Sequence, residues 1–474
     1  MTWGGSGRIG RVTVSRRTIL RAGLAGAGLA GAGLAGAGCA GSGSGRRVES
    51  GSASPSTSSS GAAAAPAARA ATTPADLAFT PGRTVRPAAA PAGYGEGLLA
   101  VARRYQSPTP DNPQHGTHPG AVVLVAVDGQ VTVHGATGDA VRYGAGPVEL
   151  PPAQRIPMRP DSIFDLAWIT KVFTALLVLR HVDRGAVDPA APVATYLPEF
   201  AAGQPAKGKV TVEMLLAHTG GVPVGLTLAG TRTPADRRAK VLSTPLIPGA
   251  VPGGTFRYSS LGLMILGQLV ERVTGHDLGG LMRSELIEPL GLRETGFKPL
   301  EWLSPADRAA RLVATDARSN RGLLRGVVHD QVADALGGVA AHAGLFSTAT
   351  DLAVLGQLLV NGGEYNGTRL LGEATVRRML TNVNGGKPAI DADRPGRSAT
   401  HGLGVELDQP WFMGRLAAPL TFGHTGFTGT SLLVDPNRRV VLVLLTNRAH
   451  PNWSWGNPDK PRAAVADALA SALG

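Results

Sequence analysis

SIFDLAWITKVFTALLVL, residues 162–179, contains an almost wholly apolar run in which Lys171 is the only charge between Leu166 and Leu179. A helix that is apolar all round is buried, so this run predicts a core helix, with Gly185 as the left-handed cap that ends it. A buried lysine must be paired, face a cavity or lose its proton. The alternative is a lysine near the helix start whose stem is buried and whose ammonium reaches water.

Two later stretches carry side chains that could accompany this lysine. GTFRYSSLGLMILGQLVERVTG, residues 254–275, places Tyr258 just before an amphipathic helix predicted over residues 261–273. TFGHTGFTGTSLLVDP, residues 421–436, places His-Thr-Gly directly before a predicted strand, where the glycines would let a ligand backbone approach. Taken alone, Tyr258 is equally well a core residue with a bonded hydroxyl, and a single HTG tripeptide indicates nothing.

In this order and at this spacing, the three stretches resemble the S-x-x-K, Y-x-N and K-T-G elements of the penicillin-recognising serine hydrolases. VEMLLAHTGGVP (212–223), EPLGLRETGF (288–297) and LGGVAAHAGLFSTATDLAVLGQLLVNGG (336–363) also agree with that family. The resemblance covers roughly residues 95–474. Within that family, the sequence resembles the class C β-lactamase-like members, which include D,D-carboxypeptidases, D-amino-acid peptidases and esterases. It implies their two-lobed β-lactamase/transpeptidase-like fold.

The resemblance also implies a role for each motif residue. In the family, a serine attacks an acyl carbonyl, a lysine–tyrosine pair accepts its proton, two backbone N–H groups hold the oxyanion, and water hydrolyses the acyl-enzyme. Lys171 and Tyr258 match that pair, and His424 replaces the lysine of K-T-G. Ser260 stands where Asn or Asp is usual. The remaining positions of the implied oxyanion hole and substrate edge are Trp168, Thr425, Gly426 and Phe427.

Trp168 stands where the family's serine is expected, three residues before Lys171. Indole offers no lone pair for the attack, because its N–H only donates. Loss of the nucleophile cost about 10⁶-fold in kcat in another hydrolase. None of the seven lysines has a serine three residues before it. Thr170 should point off the face that Lys171 uses, and Ser260 is the serine whose position should face the pocket.

Three hypotheses follow for the activity. The first is a domain of this fold that forms no acyl-enzyme and is retained to bind cell-wall peptide or a protein partner. The second is an active hydrolase in which Trp168 is a recent lesion, an engineered change or a sequence error. A sequence error or lesion needs only one base, because one serine codon differs from the tryptophan codon by a single base. The third is non-covalent chemistry through Lys171, Tyr258 and His424.

Both ends of the folded part are predicted to form sheet. AVVLVAVDGQVTVHG (121–135) holds two β-branched runs around an Asp-Gly pair, which is a strong hairpin signal. TSLLVDPNRRVVLVLLTNR (430–448) is a second hairpin, helices are predicted at 95–105 and 461–474, and the middle is mostly helical. The predicted fold class is α/β (α+β): an antiparallel sheet built from both termini and flanked by helices, with a mostly helical lobe.

The N-terminal residues 1–39 are predicted to be a twin-arginine signal peptide, because SRRTIL precedes an apolar Gly/Ala run. Cys39 ends that run as GAGC, which resembles a lipobox for lipidation, although Gly36 stands where Leu or Val is usual; the alternative is an ordinary cleavage site. Residues 40–94 lack the apolar area that would offset ordering entropy, and a disordered tether is expected. The hydrolase-like domain, 95–474, should therefore lie outside the cytoplasmic membrane on a lipid anchor.

Charge and composition narrow the expected partners. The net charge is +12, but residues 1–94 hold ten arginines against two acidic residues, so no nucleic-acid footprint is expected. Cys39 is the only cysteine, so no internal disulfide can form. His218 and His342 lack partners at metal-binding spacing, and neither a metal nor another cofactor is expected. The expected partner is a small-molecule or peptidoglycan-derived acyl ligand; its identity and the oligomeric state stay open.

Overall fold

The computed structural model describes residues 71–318, 321–391 and 394–474. Their centre is an eight-stranded sheet with the spatial order β1-β3-β2-β8-β7-β6-β5, to which β4 is added on β3. β1 pairs with β3 in parallel, and the other pairings of this sheet are antiparallel. The strands are β1 (Arg86–Pro87), β2 (Gly120–Val127), β3 (Gln130–Val141), β4 (Ile156–Pro157), β5 (Glu406–Leu407), β6 (Phe422–Thr425), β7 (Ser431–Asp435) and β8 (Val440–Thr446).

The two ends of the domain meet in the middle of this sheet, where β2 pairs with β8 and Leu124 lies opposite Val443. Asp128 and Gly129, with φ of 51° and 81°, make the turn between β2 and β3. Two positive φ angles suit the primed turns that follow strand twist, so the predicted Asp-Gly hairpin is confirmed. The second predicted hairpin is β7–β8. Both confirm a sheet that is built from the two termini.

Helices cover both faces of the sheet. On one face, Leu98 of α1 and Val465 and Leu469 of α5 share an apolar core with Val123 and Val125 of β2. On the other face α4 packs on β8 and β7, with the residues of α2 in the same core. This layering confirms the predicted fold class. The long helices are α1 (Gly95–Arg104), α2 (Thr170–Asp183), α3 (Ser260–Thr274), α4 (Ala349–Val360) and α5 (Asp459–Leu473).

Shorter elements lie mostly between β4 and β5 and give the helical lobe. A small sheet places Leu345–Ser347 between Phe164–Asp165 and Gly296–Phe297. The remaining α- and π-helices of the described residues are Val212–Leu216, Pro234–Ser243, Leu278–Met282, Arg283–Ile287, Glu288–Leu290, Pro299–Trp302, Pro305–Arg311, Gln331–Ala335, Glu373–Met379 and Pro410–Met413. The two-residue and three-residue strand pairs are Tyr143–Gly144 with Val148–Glu149, Ala314–Asp316 with Leu324–Arg325, and Glu364–Tyr365 with Thr368–Arg369.

The apolar stretch that predicted a core helix is α2. Its side chains are buried from Thr170 to Leu179, and Lys171 among them has no exposed surface. Gly185, with φ of 71°, follows the last turn as the sequence predicted. The interpretation of Lys171 as a lysine that reaches water is therefore wrong, because the helix start is covered by other parts of the chain.

The domain begins earlier than the predicted boundary at residue 95. Residues 71–94, expected to be the last part of the tether, lie on the domain: Leu77 is buried, and β1 adds to the edge of β3. Arg377 donates to the carbonyls of Pro74 and Leu77 and lies over the ring of Phe79. Backbone and cation–π contacts of this kind need few apolar residues. The composition of residues 71–94 therefore did not predict that they are ordered.

The predicted signal peptide, Cys39 and the first part of the tether, residues 40–70, lie outside the described residues. Within the described ranges, no helix is both long and apolar enough to cross a membrane.

Candidate functional site

The turn before α2 is held in a strained shape. Ala167 has φ of 47°, in the left-handed region that residues with a Cβ rarely adopt. Asp165 stabilises the turn, because Ala167 N–H donates to its Oδ1 at 2.9 Å and His329 N–H donates to its Oδ2 at 2.7 Å. Burial raises the pKa of Asp165 to about 6. The backbone at Trp168 is thus fixed by bonds that do not involve its own side chain.

Trp168, Lys171 and Tyr258 meet one another above the start of α2. Lys171 Nζ lies 4.8 Å from the centre of the Trp168 ring and 4.9 Å from the centre of the Tyr258 ring. The two rings are 5.7 Å apart. Within the described part of the chain, neither Lys171 Nζ nor Tyr258 Oη has a hydrogen-bond partner. The sequence-predicted pair is therefore brought together, with an indole packed against both members.

Burial decides the protonation of this pair. It holds the pKa of Lys171 well below the ordinary range of lysine and raises the pKa of Tyr258 well above that of free tyrosine. Both shifts favour the uncharged forms, a free amine and a neutral phenol. A free amine carries the lone pair that a general base needs, so Lys171 is in the form that could accept a proton from a neighbouring hydroxyl.

His424 reaches the same place from β6. Its Nδ1–H donates to the carbonyl of Thr425 at 2.8 Å, so Nε2 carries the lone pair, and Nε2 has no partner among the described residues. Its ring centre is 6.1 Å from that of Tyr258. Burial keeps the pKa of His424 well below the ordinary value. The structure therefore brings His424 to Tyr258, and it places an acceptor where the family's K-T-G lysine would offer a cation.

The loop after β6 is joined to the strained turn by direct bonds. Thr428 Oγ1 donates to the Asp165 carbonyl at 2.7 Å, and Thr430 Oγ1 donates to the Leu166 carbonyl at 3.1 Å. Gly426 packs so closely that a Cβ there would lie 2.4 Å from the Leu166 carbonyl oxygen. This approach requires glycine at the third position of HTG.

These contacts bring together Trp168 and Phe427, the two residues whose N–H groups are the expected oxyanion donors. The rings of Trp168 and Phe427 are 5.5 Å apart. The backbone N–H groups of both residues donate no hydrogen bond within residues 71–318, 321–391 and 394–474. Two free N–H groups on neighbouring segments can hold one oxygen of a ligand.

An open cavity of about 510 Å³ lies beside these two residues. Its walls include the aromatic side chains of Trp168, Phe427 and Trp453 and the charged side chains of Asp316 and Arg318. Lys171, Tyr258 and His424 are not part of its lining. Trp168 therefore stands between the cavity and the amine. A larger cavity of about 700 Å³, beside Trp302, contains none of the motif residues.

The other expected site residues have local roles. Thr425 is buried beside His424, and Ser260 is buried at the first position of α3, with its N–H bonded to the Val224 carbonyl. No hydrogen bond joins Ser260 to Lys171, whose Nζ is unpartnered within the described residues. Thr170 Oγ1 accepts from Leu345 N–H at 3.3 Å, which confirms that it points off the face used by Lys171.

The two histidines considered for a metal differ in their surroundings. His342 Nε2 lies 3.1 Å from Asp330 Oδ1. His218 Nδ1 accepts from Ser259 N–H at 3.2 Å, and its ring centre is 4.7 Å from that of Tyr258. Both therefore organise neighbouring loops, and His218 also packs on the site. The described residues contain no cluster of three or more metal-ligating side chains.

Sequence reasoning missed the buried charges beneath Tyr258. The guanidinium of Arg397 lies 4.8 Å from the centre of the Tyr258 ring and forms ion pairs with Glu406 at 2.5 Å and Asp391 at 2.8 Å. His401 packs beside His218 at 4.8 Å between ring centres. No motif marks these residues, because they lie more than 120 positions after Tyr258 in a stretch with no periodic pattern.

Comparison with known proteins agrees with this geometry. A family model described as Beta-lactamase matches residues 101–467. The chain is 33% identical over 362 residues to a putative D-alanyl-D-alanine carboxypeptidase of Escherichia coli (strain K12), a match that covers 70% of this chain and 79% of that protein. It is 32% identical over 359 residues to an N-acetylmuramyl-L-alanine amidase of Bacillus subtilis (strain 168), with 70% and 78% covered.

A solved structure shares the fold. The penicillin-binding protein homologue from Caulobacter crescentus superposes with a TM-score of 0.59 at 24% identity, over 81% of this chain and 99% of that one.

Proposed function

The chain belongs to the β-lactamase family of serine hydrolases, and we propose that its site binds an acyl or peptidyl ligand without forming the acyl-serine on which that family's hydrolysis depends. One observation carries the proposal: the cavity is lined by Trp168 and Phe427, whereas Lys171 and Tyr258 lie behind the indole of Trp168. A ligand in the cavity meets an aromatic ring where the family presents a hydroxyl.

The chemistry of the indole supports the loss of the covalent step. Trp168 has no lone pair for attack on a carbonyl, since its ring nitrogen only donates. Among the described residues, no hydroxyl is bonded to the free amine of Lys171 from which it could take a proton. Without the nucleophile, the N–H groups of Trp168 and Phe427, which are unpaired among the described residues, can still donate hydrogen bonds to a carbonyl or carboxylate oxygen. The site therefore retains the means to orient a ligand and lacks the means to acylate itself.

The ligand class follows from the relatives and from the leader. One relative is described as a putative D-alanyl-D-alanine carboxypeptidase and another as an N-acetylmuramyl-L-alanine amidase. The twin-arginine pattern and Cys39 suggest export and lipidation. On this proposal, the domain lies outside the cytoplasmic membrane and binds peptidoglycan-derived peptide in the cavity.

An active hydrolase, whose natural residue at position 168 is serine, is the second candidate. It is favoured by the retained polar atoms: Lys171 Nζ, Tyr258 Oη and His424 Nε2 are buried and unpartnered within the described residues. A buried polar atom without a partner costs free energy, and a serine hydroxyl at position 168 would offer one. The two candidates differ in whether tryptophan or serine is the natural residue at position 168.

The test compares binding with turnover. The chain is titrated by calorimetry with a peptide that ends in D-alanyl-D-alanine and with the same peptide ending in L-alanyl-L-alanine, while D-alanine release is measured in parallel. We expect saturable binding of the D-peptide and no release above the uncatalysed rate. Trp453→Ala should weaken binding because Trp453 lines the cavity, and Trp302→Ala should not, because Trp302 lines the other cavity, which contains none of the motif residues. Enzymatic release of D-alanine would contradict the proposal.

A further inference from the structure

Arg462, on α5, is a buried cation that reaches the loop after β6. Its Nη2 donates to the Gly426 carbonyl at 2.7 Å and to the Thr430 carbonyl at 2.9 Å. Its Nη1 donates to Asp459 Oδ1 at 2.9 Å. Its side chain is 2% exposed. An arginine this deeply buried is costly unless its donors are used, and here two of its hydrogen bonds go to the two ends of a single loop.

The bond to Gly426 helps to fix a particular peptide unit, whose carbonyl also accepts a hydrogen bond from Gly429 N–H at 3.1 Å. The Gly426 carbonyl and the Phe427 N–H belong to the same peptide group, and that group is trans. In a trans peptide the C=O and N–H point in opposite directions. With its oxygen bonded to Arg462, the group must turn its N–H away from α5. That N–H has no acceptor in the part of the chain that the structure describes.

The carbonyl on the other side of Phe427 is held as well. Arg448 Nη1 donates to the Phe427 carbonyl at 3.0 Å, and its guanidinium lies 4.8 Å from the centre of the Phe427 ring. Both peptide groups that flank the Phe427 Cα are therefore fixed by charged donors. Hydrogen bonds to charged groups are roughly twice as strong as neutral ones, so rotation of the Phe427 N–H out of the site would break strong bonds.

The hydrogen bond from Arg462 to the Gly426 carbonyl also has an electronic effect. A cation on the carbonyl oxygen draws electron density from the peptide group, and chains of hydrogen bonds polarise one another. The N–H of that group then becomes a stronger donor toward an anionic oxygen. Burial lowers the pKa of Arg462 only to about 10, so the guanidinium remains charged at neutral pH.

From this geometry we propose that Arg462 is a positioning residue that aims and polarises the Phe427 N–H as the oxygen-binding donor of the site. The inference rests on the proposed function only for the identity of the ligand. The orientation of the peptide group is a property of the free protein. It can therefore be measured whether or not the chain binds or acylates anything.

The first measurement is spectroscopic. The full chain, labelled with ¹⁵N-phenylalanine, gives one backbone amide signal for each of its ten phenylalanines. In Arg462→Met the Phe427 amide proton should shift upfield while the other phenylalanine amides stay in place, and Arg462→Lys should restore part of the shift. Arg415→Met is the matched control, because Arg415 bonds to Asp467 on the same helix and to no carbonyl of the loop.

The second measurement uses the Trp168→Ser variant. There, Arg462→Met should slow acylation by penicillin at saturating concentration by roughly 10-fold to 100-fold, since loss of a whole oxyanion donor costs about 10²–10³ in kcat. The concentration for half-saturation should change little. An unmoved Phe427 amide in Arg462→Met would overturn the inference. A change spread over all the phenylalanine amides would also overturn it, since it would mark a purely structural role. Failure of Trp168→Ser to acylate, with the Phe427 shift present, would support the inference and would show that residues other than Trp168 also prevent acylation.

Discussion

Lys171 Nζ lies 4.8 Å from the centre of the Trp168 indole and makes no hydrogen bond within the described residues. A charged ammonium in that position would lack the partners that offset its burial, and burial lowers the pKa of Lys171 accordingly. The indole therefore covers an amine held largely free of its proton. The Trp168 indole therefore separates the amine of Lys171 from the cavity of about 510 Å³. One substitution at position 168 should remove this cover.

Chemical modification of lysine should detect whether the Trp168 indole shields Lys171 from reagents in solution. We expect reductive methylation with labelled formaldehyde, followed by peptide mass spectrometry, to leave Lys171 unmodified in the unchanged protein and to modify Lys460, whose side chain is 60% exposed. In Trp168→Ala, Lys171 should become reactive, because the opening over the amine admits the reagent.

Lys207 is the internal control for this experiment. It is fully buried, and its Nζ donates to the carbonyls of Leu242 and Thr244. It should stay unmodified in both proteins. Modification of Lys171 in the unchanged protein at the rate of Lys460 would contradict the covered geometry.

The buried ion pair beneath Tyr258 should be costly to break. Arg397 and Glu406 have side chains that are each 2% exposed. Arg397→Met leaves the Glu406 carboxylate without its guanidinium and should lower the free energy of unfolding by about 3–5 kcal/mol. Urea unfolding measures this. Arg397→Met combined with Glu406→Leu should recover part of the loss, since a buried pair can be replaced by apolar residues, while Asp391 still lacks its pairing with Arg397.

Arg272→Met is the control, because Arg272 and Glu199 form a pair whose side chains are 52% and 42% exposed. Exposed pairs contribute about 0–1 kcal/mol. Equal losses for Arg397→Met and Arg272→Met would show that the burial of the first pair has been misjudged.

Acidification should destabilise the domain between about pH 6.5 and pH 4. Burial lowers the pKa of His118, His401 and His450 to about 3 and that of His329 to about 4. The contribution of these histidines to the free energy of unfolding is present above the unfolded pKa of 6.5 and is lost as the pH falls. Asp165 and Asp351, with pKa values raised to about 6, act in the opposite sense, losing their contribution as the pH rises through 6. The four histidines outnumber the two aspartates, so their sign prevails.

Urea unfolding at pH 7.5, 6.5, 5.5 and 4.5 measures this dependence. His450→Gln is a suitable variant, because His450 Nε2 accepts from the N–H groups of Arg142 and Tyr143 and a glutamine oxygen can also accept. The His450→Gln substitution should reduce the slope of the free energy of unfolding against pH by about 1.4 kcal/mol per pH unit in this window. A free energy of unfolding that rises from pH 6.5 to pH 4.5 would refute the assignment.

The features that lie within a short stretch of sequence could be predicted, and those that depend on residues far apart in the chain could not. The Asp128-Gly129 turn, the apolar run of α2 and the order of the three motifs each lie within a short stretch, and the structure agrees with them. Arg397 and Arg462 lie far along the chain from the residues they contact, and no spacing rule relates them. The ordered segment at residues 71–94 was missed for a related reason, because Arg377 binds its carbonyls rather than its side chains.

That segment gives a further prediction. A chain that begins at residue 71 should be more stable than one that begins at residue 95, because the shorter chain loses buried Leu77 and the pairing of β1 with β3. Burial of one leucine contributes about 1.5–3 kcal/mol, so a loss of that order in the free energy of unfolding is expected. Equal unfolding curves for the two chains would mean that residues 71–94 do not stabilise the domain.

The central claim is that position 168 alone prevents acylation. Intact-protein mass spectrometry after incubation with benzylpenicillin tests it most directly, with the unchanged chain, Trp168→Ser, and Trp168→Ser combined with Lys171→Ala side by side. We predict no adduct on the unchanged chain, one penicilloyl group on Trp168→Ser, and none when Lys171 is also removed. An adduct on the unchanged chain, or no adduct on Trp168→Ser, would contradict the claim.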